Sequence, residues 1–348
     1  MIMKLRLFIS GLLLCILMLA ALGTLEAQSK RIGTATATEL LIPVGARDLA
    51  RGGSSIADSR GIEAIHWNPA GLGRMEFAAE GMFSTMTYIA DVGVNYGGVA
   101  ASFGGFGVVG FTVKSLDFGD IPLTTESDPE GAAGRLYSPT FVTVGLSYAR
   151  SLTDAISAGG TVKIVTEQID RASASGFALD FGVQYNKLAG INGLHLGVAV
   201  KNIGPQMQFD GPGLLRNATS SDGDRPEQKF KSEAGTFELP SVVEIGLAYD
   251  AQLTDNVMGT LSGSFTNNNL YTDEYRVGGE VGVDLGAVKL FGRAGMGMAP
   301  QTDTDIFGAS FGAGVFYAAP GINLTVDYAY RAVEFFNANS VISVKIGF

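Results

Sequence analysis

From about residue 76 to the end of the chain, apolar residues alternate with small or polar residues, the pattern of β-strands with two different faces. In the segment 177–185, the odd-numbered residues are Phe, Leu, Phe, Val and Tyr, and the even-numbered residues are Ala, Asp, Gly and Gln. A soluble sheet would show Lys, Glu and Thr on its polar face, whereas this face carries mainly Gly, Ala and Ser with isolated charges. Lipid outside and a polar lumen inside explain both faces, so the pattern predicts a transmembrane β-barrel.

Fourteen segments carry this alternation. Most are longer than the roughly 5–6 residues of soluble strands and close to the roughly 9–11 that a tilted membrane strand needs. We therefore predict an all-β fold, an antiparallel barrel of about 14 strands over residues 76–348, and an even number is what single-chain bacterial barrels require. The predicted strands are 76–86, 90–103, 106–115, 138–149, 155–168, 173–186, 193–201, 239–250, 256–267, 273–284, 286–298, 305–317, 320–332 and 339–348.

The predicted connections differ in length between the two ends of the barrel. The two longest, 116–137 and 202–238, follow odd-numbered strands, whereas the connections after even-numbered strands are short. Long external loops and short periplasmic turns are typical of such barrels, so the first strand is expected to start at the periplasm. The chain ends on Phe348, and a terminal aromatic residue on an amphipathic strand resembles the signal read by the barrel-assembly machinery.

Residues 1–27 have the layout of a cleaved secretory signal peptide. Lys4 and Arg6 precede an apolar run over 7–22, and a loose small-residue cleavage site at 25–27 follows it. The alternative, an uncleaved transmembrane anchor, is disfavoured because the run is short for a span of about 20 residues. Export and the barrel pattern together predict a protein of the bacterial outer membrane, in contact with its lipid.

Composition and charge narrow the chemistry that the chain can perform. Its 24 basic and 34 acidic residues give a formal net charge of −10, which argues against a nucleic-acid partner. The single cysteine, Cys15, lies in the predicted signal peptide, and only His66 and His195 supply imidazoles, so neither a thiolate nucleophile nor a metal site is expected. Nucleophile-elbow, P-loop and zinc-protease motifs are absent from the sequence. We expect a protein without enzyme activity and without a cofactor.

Residues 28–75 lack the alternation and contain turn formers and charges beside small residues. A barrel of this width would leave an open channel, which a folded segment of this length can fill. We therefore predict an N-terminal plug over 28–75, with charges such as Arg47, Arg51 and Asp58 pairing with charges on the lumen face of the strands. The candidate lumen charges are Asp180, Glu244, Arg276, Glu280, Arg293 and Asp327.

One string within the plug carries a family resemblance. It comprises Gly45, Ala46, Arg47, Gly52, Gly53, Ala57, Asp58, Trp67, Asn68, Pro69, Ala70, Gly71 and Leu72. This string resembles the N-terminus of the PorV/PorQ family of outer-membrane proteins and, more loosely, the hatch of FadL-type fatty-acid channels. The resemblance implies a barrel of about 14 strands with a hatch, whereas the strands themselves are generic.

The resemblance to PorV implies a component of the type IX secretion system. Such a protein would engage secreted proteins that carry a C-terminal sorting domain, beside a large translocon barrel, and would perform no bond chemistry. The loop 202–238 mixes apolar and polar residues, and it can either fold over the lumen or contact such a partner.

The alternative hypothesis is a FadL-like transporter of hydrophobic compounds. It requires an apolar pocket under the external loops and a gap in the barrel wall. The Gly-rich strand 106–115 and its neighbour at Gly97-Gly98 are the predicted place for that gap. A third hypothesis, a structural or adhesive barrel, requires only that the loops bind a surface ligand.

Overall fold

The computed structural model describes residues 33–125, 127–219, 226–300 and 306–348. The predicted signal peptide, residues 1–27, lies outside the described residues. Within the described ranges, no helix has the length and apolar character needed to cross a membrane.

The chain folds into a closed antiparallel barrel of 14 strands, which confirms the predicted fold class. Each strand pairs with its sequence neighbours, and β1 closes the barrel by pairing with β14 from Glu80–Gly347 to Thr87–Ser340. The strands are β1 Ala79–Thr87, β2 Gly93–Ser102, β3 Val108–Asp117, β4 Thr140–Ser151, β5 Ile156–Ile169, β6 Ala172–Asn186, β7 Leu194–Ile203, β8 Val242–Thr254, β9 Val257–Asn268, β10 Glu274–Asp284, β11 Val288–Met298, β12 Phe307–Ala319, β13 Ile322–Val333 and β14 Asn339–Gly347.

The predicted boundaries differ from these by a few residues, and β8 shows why. The alternation predicts a start at residue 239, but the strand begins at Val242. Leu239 packs inward in an apolar cluster, and Pro240 has no N–H to give to a strand ladder. The carbonyl of Pro240 instead accepts a hydrogen bond from the Asn202 side chain at 3.0 Å.

The two faces of the strands differ as the alternation predicts. On β6, Phe177, Phe181 and Val183 are 49%, 54% and 45% exposed, whereas Ala178 and Asp180 on the inner face are fully buried. Large apolar side chains on the outside of a closed barrel meet lipid, and small or polar side chains line the interior.

The two ends of the barrel differ in their connections. At one end the strands are joined by short turns, such as 152–155 and 255–256, and at the other end by the long loops 118–139 and 204–241. We therefore assign the first end to the periplasm and the second to the cell exterior. The long loops contain three small antiparallel pairs, namely Ile121–Pro122 with Leu136–Tyr137, Met207–Gln208 with Thr236–Phe237, and Leu215–Ala218 with Gln228–Lys231.

Residues 36–74 occupy the barrel interior as a chain of short helical turns. They comprise two α-helices, α1 Ala46–Ala50 and α2 Ala64–Trp67, and the 3-10 turns Thr38–Leu41, Ser55–Ala57, Gly61–Glu63 and Pro69–Arg74. Further 3-10 turns lie in the connections at Ile89–Asp91, Gly104–Phe106, Leu188–Gly190 and Pro212–Leu214. We call residues 36–74 the plug.

Glycines on the inner wall let the plug lie directly on the strand backbone. A Cβ added at Gly278 would lie 2.2 Å from the carbonyl oxygen of Arg51, and one at Gly197 would lie 2.3 Å from that of Ile56. Any larger side chain at these positions must push the plug away from the wall. The abundant glycine on the polar face of the strands therefore serves plug packing.

Candidate functional site

The string 67–72 builds a turn that fastens the plug to the wall. Asn68 caps the following 3-10 turn by accepting a hydrogen bond from Ala70 N at 3.1 Å, and its amide group donates to the carbonyls of Ile56 in the plug and Val183 in β6. A Cβ at Gly71 would lie 2.1 Å from the carbonyl oxygen of Ser59, so this close contact requires glycine. The residues of this string therefore fix the backbone conformation of the turn.

Other residues of the plug string lie in and around α1. Gly45, Gly52 and Gly53 have φ values of 84°, 67° and 75°, a region that favours glycine. Ala46 N donates to Ser343 Oγ of β14 at 2.8 Å, which ties the start of α1 to the wall. The other members are buried as well: Ala57, Trp67, Pro69, Ala70 and Leu72.

Among the six candidate lumen charges, Glu280 makes a direct ion pair with a plug arginine in the described part of the chain. Its carboxylate lies 3.3 Å from Arg47 Nε and also pairs with Arg293. Arg293 in turn lies 2.6 Å from Asp327, so three strands join one network. Arg51, which we expected to reach the wall, pairs with Asp58 inside the plug at 2.7 Å and donates to Ser262 of β9.

The other candidate lumen charges pair along the wall rather than with the plug. Asp180 pairs with Lys163 at 2.6 Å, and Glu244 pairs with Lys201 at 2.6 Å and with Arg276 at 3.1 Å. The Asp180–Lys163 and Glu244–Lys201 bridges connect neighbouring strands, and the Glu244–Arg276 bridge crosses β9 from β8 to β10. All three neutralise charges that the lumen has removed from water.

Sequence reasoning missed three side chains that connect the plug to the barrel. Lys345 of β14 pairs with Glu63 at 3.0 Å, Lys114 of β3 donates to the carbonyls of Glu39 and Ile42, and Glu167 of β5 accepts from Thr36 and Ala37. All three side chains lie on the polar face of their strands. The alternation of apolar and polar residues could therefore have identified them as lumen-facing residues.

Residues 36–41 form an outer cap, which lies at the external end of the plug. Thr36 and Ala37 are held by Glu167, and Ala35 bridges to Glu238 of the long loop. Glu39 is buried in the cap beside Glu167. Burial and the neighbouring carboxylate raise the pKa of Glu39 to about 8, so this carboxyl group is mostly protonated at neutral pH.

Strand pairing between β6 and β7 covers only part of the height of the barrel wall. The two strands pair from Asn186 outward to Leu179, which faces Ile203. There β7 ends, while β6 continues outward to Ala172. An extra residue shifts the register of β7 at Asn202, whose φ is 60°, and the carboxylate of Asp180 accepts a hydrogen bond from Asn202 N at 2.8 Å.

Beyond Leu179, the loop 204–241 takes the place of a strand. Ser173 exchanges two backbone hydrogen bonds with Asp210, at 2.8 and 2.9 Å. Closer to β7, Gly204 lies against the carbonyl of Phe177, where a Cβ would come within 2.1 Å of the oxygen. Between these contacts, Met207 packs on the inner face of Gly176, at which a Cβ would lie 2.6 Å from Met207 Cγ. We call residues 174–178 and 204–210 the seam.

Apolar side chains stand behind the seam. This outer apolar cluster comprises Ala37, Leu40, Val165, Ala174, Ala178, Met207 and Leu239, with Phe209 at its margin. Phe209 also lines a pocket of about 320 Å³ under the external loop, together with Leu214 and Lys231. The pocket, the outer apolar cluster and the seam therefore follow one another from the exterior to the lipid-facing wall.

The structure also resembles solved outer-membrane proteins. The Pseudomonas putida toluene transporter TodX matches with a TM-score of 0.55 and 12% sequence identity, over 87% of this chain and 98% of that chain. A Pseudomonas aeruginosa FadL homologue matches with a TM-score of 0.51 and 12% identity, over 88% and 98% of the two chains. The chain has the fold of the FadL-type outer-membrane barrels. This fold agrees with the predicted outer-membrane location. At such low identity, the likeness itself shows the fold alone.

Comparison of the sequence itself gives no match. No protein-family model and no curated protein matches the chain. The FadL-type architecture is therefore a structural finding, and the resemblance to PorV/PorQ rests on the plug string.

The predicted place of a gap in this FadL-type barrel is wrong. The ladder between β2 and β3 runs without a register shift from Gly93–Asp117 to Ser102–Val108. The glycines there make room for the plug: a Cβ at Gly110 would lie 2.6 Å from Ile65 Cδ1, and one at Gly98 would lie 3.3 Å from Ile62 Cδ1. The glycines that the hypothesis assigned to a gap in the wall serve close packing against the plug.

Proposed function

We propose that this FadL-type barrel passes small hydrophobic compounds from the exterior into the outer membrane through the seam. The observation that carries the proposal is the stretch of wall at Ala174–Ala178, which is closed by Met207 and the loop instead of by a strand ladder. Opening it requires a side chain and a loop to move, whereas opening a regular ladder breaks several hydrogen bonds at once. TodX is known as a toluene transporter and a monoaromatic hydrocarbon channel, which supports this class of substrate.

The route follows the apolar surfaces in order. A compound would enter the loop pocket beside Phe209 and Leu214, pass Met207 in the outer apolar cluster, and leave beside the lipid-facing Phe177. The pocket of about 320 Å³ stands at the lower end of the range for ligand sites, which favours a small compound. The lining of the pocket also includes Gln208, Asp210 and Glu233, whereas the later steps keep the compound against apolar surface.

The axial path is unsuited to such a compound. The plug fills the lumen with ion pairs such as Arg47–Glu280, Arg51–Asp58 and Glu63–Lys345. An apolar molecule that displaced these pairs would leave buried charges without partners, which costs several kcal/mol per ion. A lateral path through the seam avoids that cost.

A disulfide across the seam tests this proposal. Gly176→Cys with Met207→Cys places two thiols in contact, and the only natural cysteine lies in the predicted signal peptide. We expect oxidised cells to take up labelled toluene at least about tenfold more slowly than cells treated with a reductant.

The matched control is Asn95→Cys with Ser115→Cys, a pair that faces across the regular β2–β3 ladder. Oxidation of this control should leave toluene uptake unchanged. Equal uptake by the oxidised and reduced seam variant would refute passage through the seam. Parallel measurements with oleate show whether the small pocket also admits long chains.

The secretion hypothesis stays a prediction. It rests on the resemblance of the plug string to PorV/PorQ, whereas TodX, which resembles the chain in structure, is named as a toluene transporter. Its partners would be a large translocon barrel and proteins with a C-terminal sorting domain, and their capture is the measurement that supports it.

A further inference from the structure

A separate cavity of about 660 Å³ opens at the periplasmic end of the barrel. It lies between the turns 152–155 and 187–193, and Asp250 near the end of β8 closes one side. The seam and the loop pocket belong to the opposite end, so the proposed passage of hydrophobic compounds makes no use of this cavity. We call it the periplasmic pocket.

Arg74, the last residue of the plug's final 3-10 turn, lines this pocket. Its Nη1 donates to Gln184 Oε1 at 3.2 Å. The amide nitrogen of Gln184 donates to the carbonyls of Ile56 and Ser59, which fixes the amide so that its oxygen faces Arg74. Arg74 is therefore held in place by a neutral acceptor.

Arg74 has no carboxylate at ion-pair distance among the described residues. Asp58 and Asp250 attract it from farther away, but Asp58 pairs with Arg51 and Asp250 accepts from His195 and Thr260. Burial, and then the positive charge of Arg60, lower the pKa of Arg74 to about 10, so this guanidinium has lost water without gaining a counter-ion. A guanidinium has five N–H donors, and the bond to Gln184 uses one of them.

We infer that the periplasmic pocket binds a solute with a free carboxylate, which Arg74 would hold. A guanidinium presents paired N–H donors that match the two oxygens of a carboxylate, and such charge-assisted pairs are both strong and directional. Lys187 adds a second positive charge to the lining, which also includes the carboxylates of Asp154 and Asp250. The cavity volume falls within the range of small-molecule sites and admits a solute about the size of a dipeptide.

The walls of the periplasmic pocket supply further polar groups in fixed positions. His195 is held between Asn186 Oδ1 at 2.9 Å and Asp250 Oδ2 at 3.1 Å, so it braces β6, β7 and β8 around the cavity. Ser157 also lines the pocket, and its hydroxyl is fully buried without a hydrogen-bond partner among the described residues. Such a group gains a partner when a polar ligand arrives.

Titration calorimetry on the purified barrel in detergent tests this inference. The probes are acetyl-alanyl-alanine as the free acid and the same compound as its C-terminal amide. We expect the free acid to bind at least about tenfold more tightly than the amide, and Arg74→Gln to remove that difference. Arg150→Gln is the matched control, because Arg150 is an exposed arginine at the same end of the barrel that does not line the pocket.

Equal binding of the acid and the amide, or no binding of the acid at millimolar concentrations, would overturn the inference. The comparison of the two probes needs no variant, so it decides the question even if Arg74→Gln fails to fold. Toluene uptake by Arg74→Gln should equal that of the wild type, since the seam is at the other end. Failure of the pocket and failure of the seam are therefore separate results.

Discussion

At the scale of single residues, the sequence identifies charged positions on the lumen face more readily than their partners. Alternation alone places Glu280, Arg293 and Asp327 on the inner face, and the structure joins them in one network. The pairing of Glu63 with Lys345 could not be predicted, because 282 residues of chain separate the two. Partner choice depends on how the plug turns within the barrel, and the turns of 36–74 have no periodicity from which to derive it.

The protonation of Glu39 predicts that the stability of the outer cap depends on pH. Its pKa is about 8 in the capped structure and near 4.5 when the group is in water, so the capped state binds the proton more tightly. Between these values, each rise in pH disfavours the cap further, and above about pH 8 the effect is complete. The cap should therefore loosen from pH 5 to pH 8.

A cysteine in place of Leu40, which is buried in the cap, reports this loosening through its rate of maleimide labelling. We expect the rate, normalised to Ser232→Cys on the exposed loop, to rise from pH 5 to pH 8 and then to level off. Glu39→Gln removes the titrating group, so the normalised rate should become flat. A rise of the same size in the Gln variant would assign the pH dependence to another group.

At the scale of elements, the strands follow from the sequence because one physical cause fixes them. Lipid on one side and the plug on the other impose a period of two on every strand, and all 14 predicted strands are present. The relative heights of neighbouring strands do not follow from this pattern. The seam arises because β6 continues to Ala172 after β7 has ended at Ile203, and no residue type marks that difference in height.

The glycines of the inner wall lead to a prediction about packing. Gly295 of β11 faces the plug, and a Cβ there would lie 2.2 Å from the carbonyl carbon of Arg51. Gly295→Ala should lower the free energy of unfolding in urea by about 1–3 kcal/mol, because the plug backbone must shift. Gly292→Ala on the outer face of the same strand has open space around the new methyl group, so it should change stability little.

Equal effects of the two alanine variants would show that the strand responds to lost glycine in general and not to the plug. A larger effect at Gly295 supports direct packing of the plug on the wall. The comparison is matched, since the residues share one strand, one substitution and one unfolding reaction.

At the scale of the whole molecule, two candidate sites lie at opposite ends of a filled barrel. The outer cap and the seam face the exterior and the lipid, and the periplasmic pocket faces the periplasm. The plug separates them with a network of buried ion pairs and with backbone laid on the glycines of the wall. The barrel was accessible to sequence reasoning, because the period of two runs through its strands. The path of the plug was not.

Affinity capture from detergent-solubilised outer membranes distinguishes the two functional hypotheses for the whole protein. A passage for hydrophobic compounds needs only the pocket, the outer apolar cluster and the seam, all within one chain, so we expect the tagged barrel to be recovered without a protein partner. A protein partner would bind the strand pair Leu215–Ala218 with Gln228–Lys231, since all of its residues are exposed to solvent. If a large translocon barrel is recovered, and is lost when Phe230→Ser and Leu215→Ser remove the apolar side chains of this strand pair, the secretion hypothesis replaces ours.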